Sequence, residues 1–258
     1  DVVSHTALDT HIAPPELVAQ QLVESCIVLP TSPLPPRRFT PHPVDGVMGD
    51  EPAWPVSRET VVLLALHDPK KIGPHCLQTW ARILRNCPNT VLVLRDKGRH
   101  SVAAKTILED AGVAGDRVIW LSYAMSPAEH LRRLQNGHIY LDTLTYNAMS
   151  SAVEVLQAGL PIVTTPGRTL TSRVASSLLV SLGLSSLVGR NVEDYIHLVT
   201  TLASSPHALQ QTQRAVQHKM TVECEVNMRR LAQAVRVGAQ LTHELQFADS
   251  HHHIIVNR

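Results

Sequence analysis

The sequence predicts an α/β fold of Rossmann-like type, a parallel sheet covered by helices on both faces, and three observations carry that expectation. Five short segments are apolar runs, as strands buried on both faces must be: TVVLLAL (60–66), NTVLVLR (89–95), RVIWLS (117–122), HIYLDT (138–143) and PIVTT (161–165). Helix-patterned segments alternate with them, supplying the long crossovers that parallel pairing needs. Finally, 44% of the 258 residues are hydrophobic, enough for a substantial core.

Residues 1–59 are dominated by breakers, in APPE (13–16), PTSPLPPRRFTPHP (30–43) and EPAWP (51–55). Proline fixes φ and removes a donor, so this part is expected to be extended or irregular, with one short helix in PPELVAQQLVESC (14–26). From Thr60 the alternation begins. PHCLQTWARILRNC (74–87) has helical spacing in Leu77, Trp80, Ile83 and Leu84. SVAAKTILEDAG (101–112) ends at Gly112, SPAEHLRRLQNG (126–137) follows, and SSAVEVLQAG (150–159) is stopped by Gly159 and Pro161. LTSRVASSLLVSLG (170–183), NVEDYIHLVTTLASS (191–205) and nearly all of 206–247 read as further helices, the last packing back across the domain. DSHHHIIVNR (249–258) reads as a frayed tail, in which three consecutive histidines are either metal ligands or simply solvated.

Charge and cysteine usage narrow the function classes. The 23 basic and 22 acidic residues leave +1, so no electrostatic footprint points to nucleic acid or an anionic membrane. Cys26, Cys76, Cys87 and Cys224 are scattered without C-x-x-C spacing, which favours a reducing compartment and argues against a zinc site. No apolar run nears the roughly 20 residues that span a bilayer, and DVVSHTALDTH lacks the regions of a signal peptide. The expected address is cytosolic or nuclear. A chain beginning on Asp1 also reads as a fragment.

In a parallel sheet, ligands bind beyond the carboxyl ends of the strands, where loops enter helix N-termini. There, unpaired N–H groups and a partial positive charge suit phosphate. Loop 143–151 makes this arrangement, with the hydroxyls of Ser150 and Ser151 beside the amides, and Glu154 one turn on can accept from ribose hydroxyls. A plainer alternative makes Ser150 an N-cap and Glu154 a solvated first-turn acid. Lys71 follows the first strand of the alternation and can reach the same phosphates, or is a surface lysine. His130 and Arg133, spaced i,i+3, can hold a nucleobase or form a solvated basic face.

KIGPHCLQTWARILRNCPNTVLVLR, HLRRLQNGHIYLDT, NAMSSAVEVLQAGLPIVTTPG and TLTSRVASSLL, in that order, resemble the C-terminal catalytic lobe of the protein O-GlcNAc transferases. The resemblance covers roughly residues 1–245, with DVVSHTALDTHIAPPELVAQQLVESCIVLP similar to the segment just before that lobe. It implies a GT-B fold and an inverting enzyme that transfers N-acetylglucosamine from UDP-N-acetylglucosamine to Ser and Thr of nuclear and cytosolic proteins. No metal or other cofactor is implied. Lys71 would then stabilise the leaving diphosphate as the catalytic cation, and His130 and Arg133 would contact uracil. Asn147, Met149, Ser150, Ser151 and Glu154 fall on the family's N-G-H-T-T-G-M-D, whose threonines bind phosphate and whose Asp holds ribose. Arg173 matches T-L-A-S-R-V-A and is expected to be structural, through an ion pair.

The sequence departs from the family pattern at several points. Met149 replaces a histidine, Ala148 and Ala152 replace glycines, Asp68 stands for a glutamine near the nucleotide, and Ser126 or Pro127 replaces a uracil-contacting lysine. A carboxylate at Asp68 is expected to repel diphosphate. The expected organisation is 1–59 as the tail of an N-terminal lobe and a Pro-rich linker, 60–205 as the UDP-binding lobe, 206–247 as helices packed on it, and 248–258 as a flexible tail. In the family, much of the acceptor cleft and the tetratricopeptide repeats lie N-terminal to this region; no repeat of about 34 residues occurs here. The second reading is a degenerate, noncatalytic nucleotide-binding or interaction module of the same fold.

Overall fold

The computed structural model describes residues 5–38, 56–57, 59–245 and 254–256. Its first elements are β1 (His5–Asp9), α1 (Pro15–Gln21) and β2 (Ser25–Leu29). Sequence reading anticipated only the helix, whose Pro15 sits at its first position. The two strands pair in parallel, Thr6 opposite Cys26 and Leu8 opposite Val28. HTALD is too polar and too short to stand out as a strand, and its pairing is made by tertiary context.

The core begins with β3 (Val61–Ala65), α2 (Pro74–Asn86), β4 (Thr90–Arg95), α3 (Arg99–Asp110), β5 (Val118–Leu121), α4 (Pro127–Gln135) and β6 (Ile139–Leu141). It continues with α5 (Ser150–Gln157), β7 (Ile162–Val163), α6 (Val174–Ser181) and α7 (Val192–Ser204). All five expected strands exist and lie parallel in the order β5-β4-β3-β6-β7. Val62 to Ala65 and Val91 to Leu94 are buried on both faces, the reason these strands read as unbroken apolar runs. Gly159 adopts φ 76° just beyond α5, the left-handed stop that the sequence signalled.

From β3 the chain builds outward through β4 to β5, then returns to add β6 and β7 on the other side. Right-handed crossovers therefore put α2 and α3 on one face and α4 and α5 on the other. The reversal lies between β3 and β6, and the crevice beyond their carboxyl ends is where such a sheet holds its ligand. Loops 66–71 and 142–149 meet there.

Residues 206–245, read from sequence as helical, form one helix, α8 (Pro206–Leu245), of 40 residues and hence about 60 Å long. Val216 and Met220 bury against the main lobe. Further along, Asn227 Oδ1 accepts from Thr31 Oγ1 at 2.8 Å, and Gly238 lies against Ile27 of β2. The helix thus fastens the first segment to the lobe. The tail, expected to be frayed, returns at Ile254–Ile255 as β8, parallel to β2 with Ile27 opposite Ile254. Ile254 is buried and finds apolar cover there, whereas Ile255 stays exposed. His251 to His253 and residues 39–55 of the Pro-rich region lie outside the described residues.

One buried relay ties the helices to the ligand end of the sheet. Trp80 Nε1 of α2 donates to Tyr195 Oη of α7 at 3.1 Å, and Tyr195 donates to the carbonyl of Asp142 at 3.1 Å. Tyr195→Phe leaves the Trp80 N–H without its acceptor in a dry core. The expected cost is about 1–3 kcal/mol, read as a lower denaturation midpoint at unchanged m-value; an unchanged midpoint would contradict the relay.

Candidate functional site

Asp142 follows β6 directly and is fully buried. Its Oδ1 accepts from the N–H of Thr143 at 2.8 Å and of Ala148 at 2.7 Å, while Oδ2 accepts from Thr164 Oγ1 at 2.6 Å. One carboxylate thereby closes loop 143–148 and ties it to the end of β7. Thr143 Oγ1 donates to the Tyr146 carbonyl at 2.5 Å, and Asn147 Nδ2 to the Thr143 carbonyl at 2.8 Å. Burial raises Asp142 to about 7, against the opposing pull of its three hydrogen bonds and of Lys71.

Lys71 ends a single 3-10 turn, Pro69–Lys71, that leaves β3. Its Nζ donates to the Asn147 carbonyl at 3.2 Å and lies 4.1 Å from the centroid of the Tyr146 ring. The two loops that the sequence brings to the same crevice are therefore in contact. Burial lowers the Lys71 ammonium from its ordinary value, and Asp142 and Asp68 oppose that shift. Asp68 caps the turn, accepting from Lys70 N–H at 3.0 Å, and pairs with Lys97 at 3.3 Å. These contacts hold its carboxyl below the usual range and give its charge local partners.

Met149, not Ser150, precedes α5 as its cap residue, and it offers the first turn no side-chain acceptor. The N-cap alternative for Ser150 therefore fails. Ser150 is exposed at the helix entrance, and the sulfur of Met149 accepts from Tyr146 Oη at 3.4 Å. Ala148 and Ala152 are fully buried within the main core cluster, where their methyl groups add to packing.

Next to this entrance is a cavity of about 540 Å³, with Arg95, Tyr123, His130, Ser151 and Glu154 among its walls. His130 Nε2 and Glu154 Oε2 are 3.5 Å apart across α4 and α5. Burial lowers the His130 imidazole, partly offset by Glu154. The expected pairing of His130 with Arg133 is not kept. Arg133 donates to Glu129 Oε1 at 2.6 Å and to the Ser122 carbonyl at 2.7 Å, and it is absent from the cavity wall. Its charge is already matched one turn back on its own helix. Ser126 caps α4 through Glu129 N–H at 3.1 Å, and both Ser126 and Pro127 line the cavity. Arg173 is structural as expected, but through carbonyls: it donates to His11 O at 2.7 Å and Gly167 O at 3.1 Å.

Asp142 and His67 escaped the sequence reading. His67 Nε2 donates to the Leu141 carbonyl at 2.8 Å, and burial drives the ring down to about 4. It is therefore neutral near pH 7, and its 4.0 Å approach to Asp142 is not an ion pair. The available signal was positional: an acid on the carboxyl end of a strand at the switch point.

Since the folded-state carboxyl of Asp142 lies near 7, above its ordinary 3.8, the folded protein binds the extra proton between those values. Its contribution is fully present below about pH 4 and is lost as pH rises through 7. Asp142→Asn is expected to flatten that fall in stability, which amounts to at most about 4 kcal/mol, in denaturation curves taken from pH 4 to 7. An unchanged pH slope would contradict the burial of an ionisable Asp142.

The family model for Glycosyl transferase family 41 matches residues 45–235. A Petunia hybrida protein named as a probable UDP-N-acetylglucosamine-peptide N-acetylglucosaminyltransferase SPINDLY is 32% identical over 213 residues, covering 81% of this chain and 22% of its own length. A Caenorhabditis elegans UDP-N-acetylglucosamine-peptide N-acetylglucosaminyltransferase is 30% identical over 57% of this chain and 13% of its own. The chain thus spans only a minor part of these relatives. Among solved structures, a mutant of Thermobaculum terrenum O-GlcNAc transferase superposes with a TM-score of 0.78 at 27% identity, over 95% of this chain and 46% of that one. WaaG, a glycosyltransferase of lipopolysaccharide biosynthesis, shares the fold at a TM-score of 0.59 and 16% identity, over 92% of this chain and 62% of its own. The parallel α/β architecture is that of GT-B glycosyltransferases, and by the extent of these matches the chain belongs to glycosyl transferase family 41.

Proposed function

We propose that this chain is the donor-binding part of a protein O-GlcNAc transferase, taking UDP-N-acetylglucosamine and passing the sugar, with inversion, to Ser and Thr hydroxyls of nuclear and cytosolic proteins. The observation that carries the reading is the meeting of Lys71 with the entrance of α5, 3.2 Å from the Asn147 carbonyl, beside a cavity walled by His130 and Glu154. A nucleoside diphosphate needs three features in a row: a slot for the base, an acceptor for ribose hydroxyls, and concentrated positive charge for the phosphates. The cavity, Glu154, and Lys71 with the α5 entrance supply them in that order.

In this reading an acceptor hydroxyl attacks C1 of the sugar as the bond to the diphosphate breaks. The departing oxygens gain charge, and Lys71 Nζ, the first amides of α5 and the hydroxyls of Ser150 and Ser151 stabilise it. Cation and helix N-terminus take the part that a divalent metal plays elsewhere, so the reading calls on no metal. The group that receives the acceptor proton, much of the acceptor cleft and the repeats that select protein substrates belong to an upstream lobe in this proposal. Asp68 fits it better than the sequence alone suggested, because Lys97 and the Lys70 amide already engage its charge.

A noncatalytic module of the same fold is the second reading. Met149 favours it, since a thioether, which here accepts from Tyr146, offers phosphate no donor, and so does the engagement of Glu154 by His130. Calorimetric titration with UDP, followed by a transfer assay of the chain together with an upstream lobe, separates the two. UDP is expected to saturate the chain, with Lys71→Ala weakening it by about tenfold or more, as for loss of one charged hydrogen bond. Ser150→Ala is expected to have a smaller effect in the same direction. Absence of UDP binding by the chain joined to its upstream lobe would sink the donor-site reading; binding without transfer would favour the module.

A further inference from the structure

Two large aromatic side chains among the described residues are exposed, Tyr146 at 38% and Tyr123 at 71%, and both stand at this site with a cation against the ring. Tyr146 belongs with Lys71. Tyr123 lies between β5 and α4, in the cavity wall shared with His130 and Glu154, and the guanidinium carbon of Arg95 sits 4.8 Å from its ring centroid. Arg95 is itself fixed, because it ends β4 and its Nη2 donates to the Leu66 carbonyl at 3.0 Å.

The backbone around Tyr123 is pinned on both sides. Arg133 Nη1 holds the Ser122 carbonyl at 2.7 Å, and Met125 N–H donates to Glu129 Oε2 at 2.6 Å. The Arg133 and Glu129 contacts that remove Arg133 from the cavity therefore steady the segment that carries this ring. A braced aromatic ring left largely open to water costs free energy that a planar ligand would recover by covering it. A base has such a face, and stacking on an aromatic ring is insensitive to which base it is.

We propose that Tyr123 is a base-stacking residue of the donor site, its ring covering one face of the nucleobase while Arg95 braces it. This deepens, and rests on, the nucleoside-diphosphate reading above. Tyr123 then sets the base end of a line that continues through Glu154 to Lys71. It contributes affinity for the base and none for the phosphates.

The test is calorimetry of the chain with two probes, UDP and inorganic pyrophosphate, against Tyr123→Ala and Tyr123→Phe. Tyr123→Ala is expected to weaken UDP by about tenfold, within the range of one base-aromatic stack, and Tyr123→Phe by about twofold or less. Pyrophosphate binding is expected to be unchanged in both. Unaltered UDP affinity in Tyr123→Ala, with Lys71→Ala still weakening UDP, overturns the stacking role and leaves the donor site standing. An equal loss for UDP and pyrophosphate also overturns it, since the ring would then only hold the site in shape. Failure of the unmodified chain, joined to its upstream lobe, to bind UDP removes the donor-site reading and this inference together.

Discussion

A buried carboxylate holds the candidate site in place. Asp142 gives up its hydration at the end of β6 and receives three hydrogen bonds in return, from two loop amides and a threonine hydroxyl. An unsatisfied charge there would be intolerable, so the loop amides are drawn to it. That demand sets the shape of residues 143–148 and turns the Asn147 carbonyl toward Lys71. The same residue takes Tyr195 on its backbone carbonyl, so the helix packing behind the sheet and the loop in front of it share one anchor.

The contacts around Lys71, Glu154 and Tyr123 are of a kind that a ligand can exchange. Lys71 rests on a carbonyl and a ring face, with no carboxylate in contact among the described residues. His130 and Glu154 are 3.5 Å apart and partly solvated, a weak pair by any ordinary measure. Nothing from Met149 caps the α5 entrance. A diphosphate arriving there meets a cation and free amides, and it need break no strong internal bond. The two losses relative to the family pattern, the histidine replaced by Met149 and the glycines replaced by Ala148 and Ala152, differ in weight. The alanines sit in the core, whereas Met149 stands at the entrance itself.

Much of this was legible in the sequence because burial on both faces leaves a plain mark. Strands such as TVVLLAL and NTVLVLR need apolar residues at every position, and the alternation with helices then fixes parallel order and ligand end. The end rule made Lys71, Ser151, Glu154 and His130 candidates beside plainer alternatives, and the resemblance to the O-GlcNAc transferases raised them; the fold brings Ser151, Glu154 and His130 to one cavity and Lys71 to the loop beside it. What escaped depends on long-range pairing. β1 is short and partly polar, and β8 is a two-residue strand whose partner Ile27 lies at the other end of the chain, so local pattern says little about either. Arg133 is drawn off the cavity by Glu129, an i,i+4 partner already readable in the sequence, and by the Ser122 carbonyl, a contact visible only in three dimensions. Asp142 stands just past β6, and nothing local in HIYLDT marks its carboxylate as buried, because the amides and hydroxyl that satisfy it are gathered by the fold.

The most direct measurement is a crystal structure of this chain with UDP bound. The diphosphate is expected between Lys71 Nζ and the amides of Ser150 and Ser151, the ribose hydroxyls on Glu154, and the base in the cavity between β5 and α4. Lys71 would have left the Asn147 carbonyl for phosphate oxygen. UDP bound elsewhere, or bound here with Lys71 still on Asn147 and the α5 entrance empty, would contradict this placement.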